Sequence, residues 1–307
     1  MPDYSRTHWH FIVNPAAGGG AAGRKWQALF PTLRTKLIEP TFSISTERQP
    51  LDELAERAVH DERLNIVGVG GDGTHHQILQ GLVRSGRLTE VTYAPLAAGS
   101  GNDWVRTLRT PRDLDRWVRY LQARNTLQHT VGKLEYNLVA DHHARGSSYF
   151  LNVAGMAYDA EVVRRSATAR FRSPITYPLY TLGYLLGFVP PVLRVRYAGG
   201  DIEGPLHTVN LGLGRYSGGG MTLVPHADPR RGDFALTVAD AMGMAKILAN
   251  SWRFYTGSIH RVNGVRARWA DRVEVSGTTG LEADGEFLGW GPVVATIHPE
   301  RLRVVVR

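Results

Sequence analysis

Three times within its first 104 residues the chain runs from a short apolar segment through a glycine-rich loop into apolar residues at helical spacing. This pattern restricts the fold more than any other feature of the sequence. The central instance reads Asn65-Ile66-Val67-Gly68-Val69-Gly70-Gly71-Asp72-Gly73-Thr74-His75-His76. Ile66, Val67 and Val69 predict a buried strand, and Ile78, Leu79, Leu82 and Val83 recur on one helix face. Glycines let the backbone turn sharply and keep side chains away from an anion, while the following helix offers free amide hydrogens and the positive end of its dipole. The loop from Gly70 to Thr74 is therefore expected to cradle phosphate, with Asp72 placing a carboxylate where magnesium can be held, directly or through water. An ordinary glycine-rich turn shares the local pattern.

The first instance is the strand 10–13, running into Asn14-Pro15-Ala16-Ala17-Gly18-Gly19-Gly20 and a helix with Trp26, Leu29, Phe30, Leu33 and Leu37 on one face. The third is 91–96, ending in Gly99-Ser100-Gly101-Asn102-Asp103-Trp104. Between them lie an expected strand at 41–46 and a helix opened by Pro50, with Leu51, Leu54, Ala55 and Ala58 inward. Strands alternating with helices predict an α/β domain: a parallel sheet covered on both faces, ligands beyond the carboxyl ends of its strands, and all three glycine loops on one edge.

A helix over 111–123 carries Leu114, Trp117, Val118 and Leu121, and then the texture changes. Segments 127–139, 148–153, 193–197, 206–213, 233–238, 273–275 and 293–298 read as strands between Gly, Pro and Asp turns. The expected organisation is a three-layer α/β domain over 1–128 and a β-rich, mainly antiparallel, sandwich-like domain over 129–307. A chain of 307 residues suits two domains.

The absence of cysteine excludes disulfides, thiolate metal sites and a cysteine nucleophile, and fits a reducing, cytoplasmic compartment. Residues 1–9 are polar and do not form a secretory signal. A formal charge of +8 favours an anionic partner: nucleotide, nucleic acid or acidic lipid surface. No basic stripe with interleaved aromatics, helix-turn-helix or zinc-finger pattern is present, which argues against nucleic acid. A homodimer is compatible with the sequence and not specified by it.

Asn14-Pro15 with Gly18 to Gly20, Gly70-Gly71-Asp72-Gly73-Thr74, Gly99-Ser100-Gly101-Asn102-Asp103 and Asp284-Gly285-Glu286 stand in the order of the diacylglycerol kinase catalytic family, and the chain resembles its soluble bacterial lipid kinases over nearly its whole length. Gly-Gly-Asp-Gly-Thr alone is shared with NAD kinases and, in a close variant, with phosphofructokinases. The resemblance implies an ATP site in a cleft between an N-terminal nucleotide domain and a β-rich second domain. It implies that Asn14, Thr46, Gly70, Gly71, Asp72, Gly73, Thr74 and Ser100 contact ATP and that Asp72 organises the catalytic magnesium. Asn102 and Asp103 either fix the third loop or touch the metal shell. The base that accepts a lipid hydroxyl proton is placed in Asp284-Gly285-Glu286, with Asp284 and Glu286 both open; without the resemblance, the tripeptide reads as a surface hairpin.

The sequence departs from the family pattern in four places. His76 and Gln77 stand where Asn-Glu usually follows the phosphate loop, and the adjacent His75 and His76 do not share a helix face as zinc ligands would. Thr130 stands where Asp often opens the second domain. In Pro225-His226-Ala227-Asp228-Pro229-Arg230-Arg231-Gly232-Asp233, Arg231 takes the place of the aspartate of a structural magnesium loop. Either Asp228 and Asp233 hold that cation, or the guanidinium replaces it; a cation among cation ligands favours replacement.

Residues 171–191 are apolar, aromatic and broken by prolines, flanked by Arg164, Arg165, Arg170, Arg172, Arg194 and Arg196, and too short in helix to span a bilayer. They suit a surface that dips into an anionic membrane and admits an acyl chain, or a helix buried in the second domain. The expected function is an ATP- and magnesium-dependent lipid kinase peripherally bound to the membrane, with diacylglycerol as first choice and phosphatidic acid as product, serving phospholipid biosynthesis. A kinase of a soluble acceptor such as NAD, and a nucleotide-binding regulatory module without turnover, are the alternatives.

Overall fold

The computed structural model describes residues 8–37, 39–99, 102–139, 144–168, 183–185 and 187–307. The chain divides into two compact units, Met1–His129 with Pro299–Arg307, and Thr130–His298.

The first unit is built on a six-stranded sheet of β1 (His10–Val13), β2 (Thr41–Ile44), β3 (Asn65–Gly70), β4 (Thr92–Ala97), β5 (Thr126–His129) and β16 (Leu302–Val305), in the order β2-β1-β3-β4-β16-β5. Every pairing is parallel except that of β16 with β5. Its helices are α1 (Ala21–Lys36), α2 (Leu51–His60), α3 (Asp72–Arg84), α4 (Asp103–Thr107) and α5 (Leu114–Ala123). Phe11, Val13, Val67, Val69, Trp26, Leu33, Trp117 and Leu121 share one core, so α1 and α5 cover one face of the sheet through the apolar stripes read in the sequence. Helix α3 packs on α2 at Gly81, where a Cβ would collide with the Asp52 carbonyl; Arg84 then reaches Asp52 and Glu56 at 3.0 and 2.5 Å.

The second unit contains β6 (Gly132–Asn137), β7 (Arg145–Phe150), β8 (Val153–Ala157), β9 (Val192–Tyr197), β10 (Gly200–Gly212), β11 (Phe234–Asp240), β12 (Val265–Ala270), β13 (Arg272–Ser276), β14 (Gly280–Ala283) and β15 (Glu286–Ile297), with helices α6 (Tyr158–Thr168), α7 (Met244–Asn250) and α8 (Arg253–Thr256). All its strand pairings are antiparallel. The path β10-β8-β14-β15-β13-β9 returns to β10, so the strands enclose their own core of Leu134, Phe150, Met156, Leu211, Phe234, Val273 and Leu281.

Two of the differences from the sequence expectation fall at the domain boundary. The single strand expected at 127–139 is two strands: β5 pairs in the first sheet and β6 in the second, and Thr130 and Val131 carry the chain across. The second domain does not run to residue 307, because β16 returns to the first sheet between β4 and β5. There the Tyr120 hydroxyl donates to the Val305 carbonyl.

Candidate functional site

Because β1, β3 and β4 are parallel neighbours, the three glycine loops leave the sheet at the same edge. Their backbones touch. A Cβ on Gly99 would lie 2.8 Å from the Gly71 α-carbon, and one on Gly18 would lie 3.5 Å from the Gly99 α-carbon. Gly18, Gly19 and Gly20 have φ of 63°, 66° and 84°, the left-handed region that disfavours any side chain. The Asn14 amide donates from Nδ2 to Thr74 Oγ1 at 3.0 Å, tying the first loop to the second, and its Oδ1 accepts the Ala16 amide at 3.1 Å. Asn102 donates to the Gly99 carbonyl at 2.8 Å and closes the third loop. Thr46 lies just beyond β2, and its hydroxyl accepts the Gln49 amide at 3.2 Å. Ser100, the remaining expected nucleotide contact, is outside the described residues.

Asp72 opens α3 and reaches the third loop. Its Oδ2 accepts the Asp103 amide at 3.0 Å and its Oδ1 the Trp104 amide at 3.2 Å, so it caps α4 from another element of the chain. Asn102 is the residue before α4 and makes no side-chain cap there. Beside the third loop a cavity of about 300 Å³ is lined by Asn102, Val105, Arg106, Arg109, Thr110 and Arg112, a cationic recess suited to an anion.

Behind the loops is a buried polar chain that the sequence did not announce. His75 Nδ1 and the Tyr93 hydroxyl are 2.7 Å apart, in space left by Gly68, whose Cβ would overlap that hydroxyl. Trp104 Nε1 donates to His129 Nε2 at 3.0 Å. Burial pushes the His75 imidazole down to about 3 and the Tyr93 phenol well above its usual range, so both are neutral at pH 7. His76 is buried and Gln77 exposed, so His76 belongs to the packing of α3.

In the second unit, Asp284 has φ 53° and is buried, and its carboxylate accepts the amides of Leu151, Asn152 and Val153 at 3.1, 2.9 and 3.3 Å. Glu286, two residues on, is exposed at the start of β15. The turn is held from below by Glu282, whose Oε2 accepts the Gly285 amide at 3.0 Å. Desolvation raises the Glu282 carboxyl well above its usual range, with the nearby Asp159 charge adding to the rise. Asp159 is raised by burial too, against hydrogen bonds from Thr208 and Asn210. Gly155 makes room for this group, since a Cβ there would lie 2.7 Å from Glu282 Oε1 and 3.0 Å from Asn210 Oδ1. Glu282 has a sequence signal, since Leu281-Glu282-Ala283-Asp284 alternates apolar and acidic residues just before the turn. Asp159 and Asn210 had none, because their meeting depends on long-range pairing.

The loop at 225–233 is organised by arginine. Arg231 grips both oxygens of Asp233 at 2.8 and 2.9 Å and lies 3.9 Å over the Trp269 ring. Asp228 turns back to accept the Arg230 amide at 3.0 Å. Thr130 donates its amide to the Pro229 carbonyl and its hydroxyl to the Arg231 carbonyl, both at 2.8 Å. Where a cation between Asp228 and Asp233 was one expectation, a guanidinium stands on Asp233. Among the described residues no group of three or more His, Cys, Asp and Glu side chains is arranged to hold a metal ion.

Two donors at the first unit's loops nevertheless suit a hard cation: the Asp72 carboxylate, and Asn102 Oδ1, a buried acceptor without a hydrogen-bond partner. The apolar stretch expected at 171–191 lies mostly outside the described residues, and no described helix is long and apolar enough to cross a membrane.

The diacylglycerol kinase catalytic domain family matches residues 8–134, and the YegS C-terminal NAD kinase beta sandwich-like domain family matches residues 152–306. YtlR of Bacillus subtilis (strain 168) is 24% identical, covering 97% of this chain and 99% of its own. A diacylglycerol kinase of Staphylococcus carnosus (strain TM300) is 23% identical over 79% of this chain and 76% of its own. Among solved structures, the fold resembles a diacylglycerol kinase from Bacillus anthracis str. Sterne, with a TM-score of 0.71 at 18% identity over 98% and 97% of the two chains. Yeast NADH kinase complexed with NADH superposes with a TM-score of 0.53 at 10% identity, over 100% of this chain and 88% of the other.

Proposed function

The chain belongs to the family that joins a diacylglycerol kinase catalytic domain to a YegS C-terminal NAD kinase beta sandwich-like domain, and from that premise we propose that it transfers the γ-phosphate of ATP to the hydroxyl of a lipid, with diacylglycerol the first candidate. The observation that carries the reading is the convergence of three glycine loops on one sheet edge, with the Asp72 carboxylate bridging the second loop to the third.

In this reading the first-turn amides of α3 and the Gly18 to Gly20 loop bind the phosphates, and Asn14 and Thr74 hold the two loops in register. Asp72 and Asn102 would hold magnesium, which when bound neutralises phosphate oxygens as the leaving group departs. The acceptor hydroxyl oxygen forms a bond to the γ-phosphorus, the bond from that phosphorus to the β-phosphate bridging oxygen breaks, and ADP leaves. The hydroxyl proton passes to a carboxylate. We assign that step to Glu286, because the oxygens of Asp284 are taken by three backbone amides while Glu286 is exposed.

A second reading, phosphorylation of a soluble nucleotide such as NAD, is supported by the likeness in fold to the yeast NADH kinase. The test is transfer of labelled γ-phosphate from ATP to diacylglycerol, monoacylglycerol, ceramide and sphingosine in mixed micelles, with NAD in a detergent-free arm and Asp72→Ala as control. Labelled lipid that disappears in the control supports the proposal; label in NAD alone replaces it with the second reading.

A further inference from the structure

Residues 241–270 contain no Asp or Glu, while Lys246, Arg253, Arg261, Arg266 and Arg268 fall within them. Their first half holds α7 and α8, and neither helix buries a residue fully. Ser251 and Trp252, which join them, keep helical backbone angles of φ −59°, ψ −34° and φ −58°, ψ −24°. The helical path is therefore continuous, and Leu248, Trp252 and Tyr255, at spacings of four and three, form one stripe. They are 46%, 54% and 64% exposed, which is far from the interior where residues of this kind belong. The segment is not loose, because Phe254 packs on Val224, Ala227 and Ala235 on the other side and the Phe254 carbonyl accepts the Thr222 amide at 2.6 Å.

Cations accompany the stripe: one touches it, and two more stand exposed on the same helical stretch and on the turn that follows it. Arg253 lies 4.7 Å over the Trp252 ring, Lys246 is exposed on α7, and Arg261 ends the short 3-10 turn Ile259–Arg261 that follows α8. Arg266 is paired with Asp240, whereas among the described residues no acid pairs with Lys246, Arg253 or Arg261.

We propose that this stripe is a docking surface for an anionic lipid bilayer, with Leu248, Trp252 and Tyr255 entering the interface and Lys246, Arg253 and Arg261 meeting lipid phosphates. Tryptophan and tyrosine present an apolar body and a polar tip suited to headgroup depth, and cations on long stems extend to the phosphates while their stems stay in apolar surroundings. A second copy of the chain is the poorer occupant: a two-fold interface would bring this acid-free, cationic stretch against itself. The inference is independent of the phosphate acceptor, since a kinase of a soluble substrate could bind membranes in the same way. It also rests on residues of the chain other than 171–191.

The full chain is sedimented with vesicles of phosphatidylcholine, alone and mixed with phosphatidylglycerol, at low and high salt. Variants are Trp252→Ser/Tyr255→Ser and Lys246→Glu/Arg253→Glu, with Tm measured for each. Binding is expected only to the anionic vesicles, falling with salt, and each double variant lowers the partition coefficient by about tenfold or more. Binding that ignores lipid charge, binding by both variants at the wild-type level, or no vesicle binding by the wild type overturns the proposal. So does lipid-free dimerisation abolished by the aromatic variant, which would assign the stripe to a second copy.

Discussion

Asp72 Oδ1 accepts the backbone amide of Trp104 at 3.2 Å across 32 residues of sequence, and Oδ2 takes the neighbouring Asp103 amide at 3.0 Å. One carboxylate thus joins the second glycine loop to the helix that the third loop opens. Asp72→Ala removes both acceptors, which lowers stability by about 1 to 2 kcal/mol as for a lost helix cap, and lowers phosphate transfer by about 1,000-fold if its charge also serves the reaction. Asp72→Asn keeps one acceptor oxygen and turns an amide donor toward the other backbone N–H. It is expected to recover less than half of the lost stability and none of the activity, as read by urea denaturation and by the label-transfer assay.

Under the proposed transfer, Asp284 and Glu286 are expected to separate stability from chemistry. Asp284→Ala leaves the buried amides of Leu151, Asn152 and Val153 without their acceptor, at a cost of about 3 kcal/mol or more. Glu286→Gln removes an exposed carboxylate, so its denaturation midpoint stays at the wild-type value while turnover falls by about 100-fold or more. Loss of stability in Glu286→Gln with full activity would remove it from the proton-transfer step.

The three glycine loops were legible because their requirements are local. Gly18 to Gly20 have left-handed φ, and Gly70 and Gly99 leave no room for a side chain. The parallel order of β1, β3 and β4 follows from their crossovers. What stayed hidden is long-range. The segment 127–139, read as one strand, gives no sign that Thr130 leaves one sheet for another, or that Leu302–Val305 returns to the first. Strand β8, Val153–Ala157, carries Gly155 in a fully buried run and shows no alternation. The His75 and Tyr93 pair spans 18 residues and depends on the absence of a side chain at Gly68. The departures at Thr130 and Arg231 were visible as letters, but their connection through the Arg231 carbonyl was not.

Arg231 neutralises Asp233 and stacks on Trp269, in the loop where the family resemblance led us to weigh a structural magnesium. Arg231→Asp is expected to lower Tm in chelator and to regain part of the loss on addition of magnesium, because three aspartates at 228, 231 and 233 then offer oxygen ligands to a hard cation. The wild-type Tm, measured in the same titration, defines the response of all other sites. An equal magnesium shift in both proteins would show that the loop cannot hold the ion even when the guanidinium is gone.

His75 makes stability depend on pH in a direction fixed by its burial. Its imidazole, at about 3 in the folded protein against 6.5 as an ordinary histidine, is neutral when folded and takes up a proton on unfolding below pH 6.5. The unfolded state binds more protons, so stability is complete above pH 6.5 and falls as pH drops toward 3. At pH 5 the loss from this residue is about 2 kcal/mol, and His10, lowered to about 4 mainly by burial and then by the Arg63 charge, adds to the same trend. His75→Phe leaves the Tyr93 hydroxyl without its partner, a cost of about 1 kcal/mol at either pH, but removes the proton-linked part. The difference in unfolding free energy between pH 7 and pH 5 should therefore shrink by about 2 kcal/mol in the variant. An unchanged difference would mean that the imidazole is already protonated in the native protein, or that it reaches solvent without unfolding.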